Sequence, residues 1–246
     1  MPTRRSPPPG APRPPLDEQL RAALAVLQAE ARPGELAGMA HFGLRGDGRL
    51  GVAVPVLRRL GRQIGRDHAL AQALWDTAIP DAQILAAYVA EPTQFTAAQM
   101  DAWTRGMASW DVCDQACSNA FARCPALAWE RVPVWAAQQA EGAEFVRRAA
   151  FALLAALAVH DRAAPDERFL ATLPLIEAAA SDERNFVRKA VNWALRQIGK
   201  RNATLLGPAI TCAERLRERR DSRSARWIAA DALRELRPRL DGARLA

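Results

Sequence analysis

The chain has 246 residues, 50% of them hydrophobic, with 34 Lys+Arg against 27 Asp+Glu and a net charge of +7. That length and apolar share suit one large packed domain or two small ones. The longest uninterrupted apolar run, Ala149–Val159, is eleven residues, too short to span a bilayer, so no membrane association is expected. Four cysteines (Cys113, Cys117, Cys124 and Cys212) in a chain of this size do not make a disulfide framework. A reduced, cytoplasmic protein is the expectation.

Residues 1–15 (MPTRRSPPPGAPRPP) hold seven of the 17 prolines and no apolar run, so they read as a disordered tail and not as a signal peptide. Helical periodicity begins at Leu16 and runs to about Ala31. Short amphipathic segments follow at Pro55–Gly65, His68–Thr77, Asp81–Ala90 and Ala97–Arg105. Longer ones come next, at Trp110–Arg123, Ala126–Gln138, Phe145–Val159, Asp166–Ala180, Phe186–Gly199, Ala203–Arg219 and Ala225–Arg237. Pro, Gly, Asp and Ser stand at most of the joints. No stretch alternates with period two long enough to make a strand. The fold class is all-α, with a single domain over 16–240 and a flexible end at 241–246.

Three of these helices repeat one another. Phe145-Val146-Arg147-Arg148-Ala149-Ala150-Phe151 lines up with Phe186-Val187-Arg188-Lys189-Ala190-Val191-Asn192, and again with Ser224-Ala225-Arg226-Trp227-Ile228-Ala229-Ala230, at offsets of 41 and 38 residues. Those spacings are close to the about 40–47 residues of HEAT-like helical repeats. Each unit is a helix pair that cannot bury its apolar face alone, so stacking gives a right-handed α–α superhelix, a solenoid of HEAT/ARM-like repeats with a concave groove.

Charge is unevenly spread over this scaffold. The segment Arg184–Arg239 carries fifteen Lys+Arg and five Asp+Glu, and the remainder is slightly acidic. A basic third on a near-neutral body points to a polyanion, with a solvated helix face as the plainer alternative. In the repeat register, Arg148, Lys189 and Trp227 share one position, and Ala152, Trp193 and Asp231 share another one turn later. Residues four apart lie on one helix face, so Arg148, Lys189 and Trp193 should project from the same side of neighbouring helices. Arg147, Arg188 and Arg226 form a second row about 100° around, read as mainly a structural ladder.

Upstream, Ser109 can be the N-cap of a helix and Asp111 then lies in its first turn, where the dipole favours a carboxylate. Asp114 lies one turn from Trp110 on the same face and has no capping role. Its plain structural explanation is a salt bridge to a neighbouring helix, and from the motif alone that is the better reading. Cys113 and Cys117 share a helix face with Cys124 nearby, but a structural zinc site normally needs four ligands, so buried core thiols are expected. The glycine-rich Gly43–Gly48 lacks the Gly-Lys-Ser/Thr that reaches phosphates and reads as a loop. His160-Asp161 ends the Phe145 helix, where a histidine meets the last carbonyls.

The strings SWDVCD (109–114), FVRRAAF (145–151) and NFVRKAVNWALRQIGKRN (185–202), in this order and spacing, resemble the AlkD-type DNA alkylation-repair family. The similarity runs from about Met39 to Leu236, with Gly51-Val52-Ala53-Val54-Pro55 resembling the family's early Gly/Pro turn. Members are HEAT-like-repeat DNA glycosylases that excise N3- and N7-alkylated purines, unusually without a base-flipping pocket. The resemblance implies Trp110, Asp114 and Trp193 as catalytic residues and Arg148 as the groove arginine. Arg148 and Lys189 would grip phosphates flanking the lesion, and Arg188 and Arg226 are added as DNA-binding positions. No metal or organic cofactor is implied. The expected partner is double-stranded DNA with alkylated bases, bound by a monomer with no obligate protein partner, in the cytoplasm and at the nucleoid when on DNA. The alternative from another class is a non-catalytic solenoid that binds distorted or branched DNA. A protein–protein scaffold is a third, against which the basic segment and the paired tryptophans argue.

Overall fold

The computed structural model describes residues 13–44 and 48–244. Most of the expected Pro-rich tail and the middle of the Gly43–Gly48 loop lie outside the described residues. Arg13, at the start of the described chain, pairs with Asp67 at 2.9 Å. The elements are α1 (Leu16–Ala29), α2 (Leu36–His41), α3 (Val54–Ile64), α4 (His68–Asp76), α5 (Pro80–Val89), α6 (Ala97–Arg105), α7 (Trp110–Asn119) and α8 (Pro125–Ala136). They continue with α9 (Glu144–His160), α10 (Asp166–Leu170), α11 (Leu173–Ala179), α12 (Asn185–Arg201), α13 (Ala203–Arg217) and α14 (Arg223–Arg244). No strand occurs among the described residues, and none of their helices is long and apolar enough to cross a membrane.

Helix starts follow local chemistry. Pro55, Pro80, Pro125 and Pro174 occupy first turns, where no N–H is needed. Asp67, Thr96 and Asn202 accept from the N3 amides of Leu70, Gln99 and Leu205 at 3.0–3.2 Å. The expected helix over Asp166–Ala180 is instead two, because Pro174 offers no N–H to carry the first across Ala171–Thr172. The Trp110 helix ends at Asn119, before a 3-10 turn at Phe121–Arg123 that drops Phe121 fully into the core. α2 was not anticipated. α14 runs on to Arg244, through Pro238 and into the segment read as flexible.

The helices stack as an α–α solenoid. α3, α5, α7, α9, α12 and α14 lie side by side in that order; α4 backs α5, α8 backs α9, α11 backs α12, and α13 packs behind α12 and α14. α9 is wedged between α7 and α12 and is buried from Arg147 to Ala158, which explains its unbroken apolar run: it has no solvent face to make polar. The repeat register is physical. Phe145 and Phe186, equivalent by sequence, stack at 5.6 Å and 26° across α9 and α12. Arg147 pairs with Asp182 at 2.9 Å, both nearly buried, tying successive repeats together.

Close approach of α3 and α5 depends on Gly61. A Cβ there would collide with the Cβ of Tyr88 on α5. Gly61→Ala should gain about 1 kcal/mol of helix propensity but cost about 1–3 kcal/mol in overpacking. A lowered melting temperature is the expected net result; a raised one would show that α3 shifts without penalty.

Candidate functional site

The site forms where the N-terminal halves of α7, α9 and α12 come together. Trp110 opens α7 and Asp114 follows one turn later on the same face. The indole Nε1 of Trp110 donates to the carbonyl of Phe42 at 3.0 Å, which anchors the ring against the turn after α2. Gly43 (φ +77°) lets that turn close on α12, since a Cβ there would lie 2.7 Å from the Phe186 ring. Across the groove, Lys189 and Trp193 project from one face of α12, with Trp193 half-buried against the core. The resulting cleft of about 580 Å³ is lined by Trp110, Asp114, Arg148, Lys189 and Trp193. Phe42, Leu44 and Phe186 complete it, and Phe42 is 72% exposed at its mouth.

Asp114 and Arg148 meet as a pair. Arg148 Nε and Nη2 donate to Asp114 Oδ1 at 3.1 and 2.8 Å, and Nη2 also reaches Oδ2 at 2.7 Å. Nη1 donates to the carbonyl of Phe186 at 2.7 Å. A carboxylate offers about four lone-pair sites, so three are occupied and one, on Oδ2, remains. Burial pushes the Asp114 carboxyl above its ordinary value; the Arg148 guanidinium pulls it back down, and the nearby Asp111 adds to the rise. A carboxyl so perturbed in a cleft makes Asp114 a candidate functional residue.

The expectation that Arg148 grips DNA phosphates needs correction in its geometry. The side chain is 6% exposed and its guanidinium is committed to Asp114 and Phe186. It is buried against those partners, and the exposed Lys189 is the groove cation that makes no ion pair among the described residues. The other two basic candidates lie elsewhere: neither Arg188 nor Arg226 lines the cleft. Arg188 covers the Trp227 ring at 5.0 Å, and Arg226 turns back to the carbonyl of Arg220. Much of the basic segment is likewise engaged in the scaffold. Arg196 bridges Asp231 and Glu235 at 2.6 and 2.5 Å, and Lys200 meets Glu235 at 2.7 Å. Arg201 donates to the carbonyls of Ala158, Asp161 and Ala164 at the end of α9.

The N-terminus of α7 also differs from expectation. Ser109 stands at the N-cap but makes no side-chain cap bond; its hydroxyl donates to Asp111 Oδ1 at 2.5 Å. Asp111 is held by Arg49, whose Nη1 and Nη2 reach Oδ2 and Oδ1 at 2.8 and 3.0 Å. Arg49 is delivered by a segment fixed at Leu50 and Val52, whose amides both donate at 2.7 Å to the buried Asp81 of α5. Removing the carboxylate of such a buried pair is strongly destabilising, although Arg49 keeps the Ser109 hydroxyl at 3.1 Å. Asp111→Ala should therefore cost about 3–5 kcal/mol, not the few tenths of a dipole contact. A chemical-denaturation loss below about 1 kcal/mol would show that solvent relieves Arg49, as at an exposed pair.

Sequence reasoning missed Arg49, Asp81, Phe42 and Phe186. Asp81 carried a weak signal as a carboxylate in a first turn and Phe186 one as the repeat equivalent of Phe145; Arg49 and Phe42 carried none. The cysteines are core groups as expected: Cys113, Cys117 and Cys212 are buried and Cys124 half-buried. Burial raises the Cys124 thiol to about 11 and Cys212 to about 12.

Fold and site together define a HEAT-like helical-repeat solenoid whose groove holds one carboxylate between two indoles beside a lysine. A sequence model described as DNA alkylation repair enzyme matches residues 23–236, and the chain belongs to that family. A solved structure described as a new family of proteins related to the HEAT-like repeat DNA glycosylases, with affinity for branched DNA structures, superposes with a TM-score of 0.72. It shares 17% identity over 88% of this chain and 95% of its own. A designed armadillo repeat protein aligns at 16% identity with a TM-score of 0.34, over 74% of this chain and 92% of its own. Comparison with curated protein sequences gives no match.

Proposed function

We propose that this protein is a DNA glycosylase that hydrolyses the N-glycosidic bond of cationic N3- and N7-alkylpurines in duplex DNA, as a monomer and without a base-flipping pocket. The observation that carries the reading is the Asp114 carboxylate, held by Arg148 in a cleft walled by Trp110 and Trp193. Alkylation at N3 or N7 leaves the purine positively charged, so the C1′–N9 bond breaks with its electron pair passing to the base, which departs neutral. The sugar becomes oxocarbenium-like at C1′. Asp114 stabilises that charge and orients a water, which adds to C1′ and passes a proton to the carboxylate and on to solvent, leaving an abasic site. The two indoles hold the sugar and cationic base by apolar and cation–π contact, of order 0.5–2 kcal/mol each. Arg148 fixes the carboxylate and holds it in the ionised form. Lys189 meets a flanking phosphate.

A second reading, non-catalytic binding of distorted or branched DNA, is favoured by one observation: Arg148 occupies three of the carboxylate's acceptor sites. The experiment that separates the two is analysis of free bases released from methylated duplex DNA. Accumulation of N3-methyladenine and N7-methylguanine with matching abasic sites supports the glycosylase. Tight binding of a four-way junction with no base release supports the second reading.

A further inference from the structure

α7 carries two carboxylates one turn apart, Asp111 and Asp114, and each meets an arginine from a different part of the chain. Arg148 of α9 holds Asp114. Arg49, from the connection between α2 and α3, holds Asp111 through both Nη atoms at 2.8 and 3.0 Å. This second pair is also sheltered: the Arg49 side chain is 7% exposed and that of Asp111 12%. Arg49 Nη2 donates to the Ser109 hydroxyl as well, at 3.1 Å, so one guanidinium holds the residues on either side of Trp110.

The chemistry proposed for Asp114 does not use the second pair. A helix N-terminus favours a carboxylate in its first turn, which accounts for Asp111. It does not account for a nearly buried arginine, 62 residues away in sequence, matched to that carboxylate in a bidentate fork. Arg49 is itself held, because the amides of Leu50 and Val52 just after it donate to the buried Asp81 of α5. The same connection begins at Phe42, whose carbonyl accepts from Trp110 Nε1. The first turn of α7 is therefore fixed at its indole and at its carboxylate from one connecting segment.

Charge acts together with position. Like charges one turn apart on a helix repel, and Asp111 pushes the Asp114 carboxyl upward, in the same direction as burial. Stabilising an oxocarbenium-like sugar requires the ionised carboxylate, which a bare negative neighbour opposes. The other ionisable groups around Asp114 are Lys189 of α12, across the cleft, and Cys113 and Cys117 on α7 itself. His41 of α2 lies edge-on to Phe42 at the mouth, and α5 brings Tyr88, which donates to Gln115. Among the described residues, Arg49 is the cation paired with Asp111.

From this geometry we infer that Arg49 is a positioning residue for Asp114: it pins the first turn of α7 and neutralises the Asp111 carboxylate one turn before the reacting one. The catalytic use of Asp114 rests on the glycosylase reading above; its electrostatic surroundings do not.

The test is the titration of the Asp114 carboxyl, followed by NMR of labelled aspartate carboxyl carbons in the full chain without DNA. The resonance is identified by its loss in Asp114→Asn. Asp111→Asn removes the repelling charge, so Asp114 should titrate lower, by on the order of one pH unit. Arg49→Met leaves Asp111 bare, so Asp114 should titrate higher by a similar amount. Arg49→Met/Asp111→Asn removes both charges and should return the titration close to wild type, as should Arg49→Lys, which keeps the charge. A role confined to folding predicts no displacements of opposite sign. The acid limb of base release should move in the same directions. Arg59→Met, which breaks the pair with Glu30 away from the cleft, should leave the Asp114 titration unchanged. If Arg49→Met does not fold, the downward displacement in Asp111→Asn and its reversal in the double variant decide the matter. An Asp114 titration that is the same in every variant, or displaced in one direction by both single changes, would overturn the inference without touching the glycosylase reading. Opposite displacements with no base release by any variant would uphold the action of Arg49 on Asp114 and sink the glycosylase instead.

Discussion

Asp114→Asn should slow release of N7-methylguanine by about 10²–10³, the usual cost of removing one well-placed electrostatic stabiliser from a transition state. The substitution keeps the shape but sets an amide donor against Arg148 in place of one acceptor, at a cost in stability; DNA binding by the folded variant should hold or tighten as a negative charge near phosphates disappears. The loss should fall on the rate at saturating enzyme, since the missing interaction belongs to the oxocarbenium-like state. A variant that releases base as fast as wild type would remove Asp114 from the mechanism, whatever its family.

Arg148→Met carries the second large effect, on both stability and pH dependence. The guanidinium is nearly buried and satisfies Asp114 and the Phe186 carbonyl together. Its removal strands a desolvated carboxylate, at a cost of about 3–5 kcal/mol, or roughly 6–20 °C in melting temperature for a chain of this length. The pH consequence follows from the direction of the Asp114 shift. Burial has already raised that carboxyl above the 3.8 of an ordinary aspartate, and Arg148 is what holds it down. Catalysis needs the ionised form, so the wild-type rate should fall as pH drops through the raised value, with its acid limb above pH 3.8. Without Arg148 the limb should move to still higher pH. A methionine variant with the wild-type melting temperature and an unmoved acid limb would show that the pair is incidental.

The two effects expose what sequence could and could not reveal. Period and repeat made α9, α12 and α14 legible, because their pattern is the burial they achieve: Phe145 and Phe186 align in sequence and stack in space. The same register placed Arg148, Lys189 and Trp193 on one groove, and it was right about Arg147 as a ladder residue, paired with Asp182. Pairings between repeats were not legible. Arg148 and Asp114 are 34 residues apart and Arg49 and Asp111 are 62 apart, and nothing local to either string announces its partner. The salt bridge offered as the plain explanation of Asp114 is present, and its partner is the arginine assigned to phosphates. The two ideas were one contact. Short elements failed for a related reason: α2 has six residues, too few for a period, and its turn is fixed by Gly43 against Phe186 and by Trp110. Charge was legible as composition but not as direction. Arg196, Lys200 and Arg201 add to the basic total while binding α14 and the end of α9, whereas the exposed Arg58, Arg62 and Arg123 belong to the slightly acidic remainder.

The most direct measurement is the single-turnover rate of base loss from a duplex containing one N7-methylguanine, with wild-type protein in excess, against spontaneous depurination of the same duplex. The expected result is release faster than the spontaneous reaction by orders of magnitude, falling by about 10²–10³ in Asp114→Asn. Release at the spontaneous rate by folded wild-type protein bound to that duplex would contradict the account.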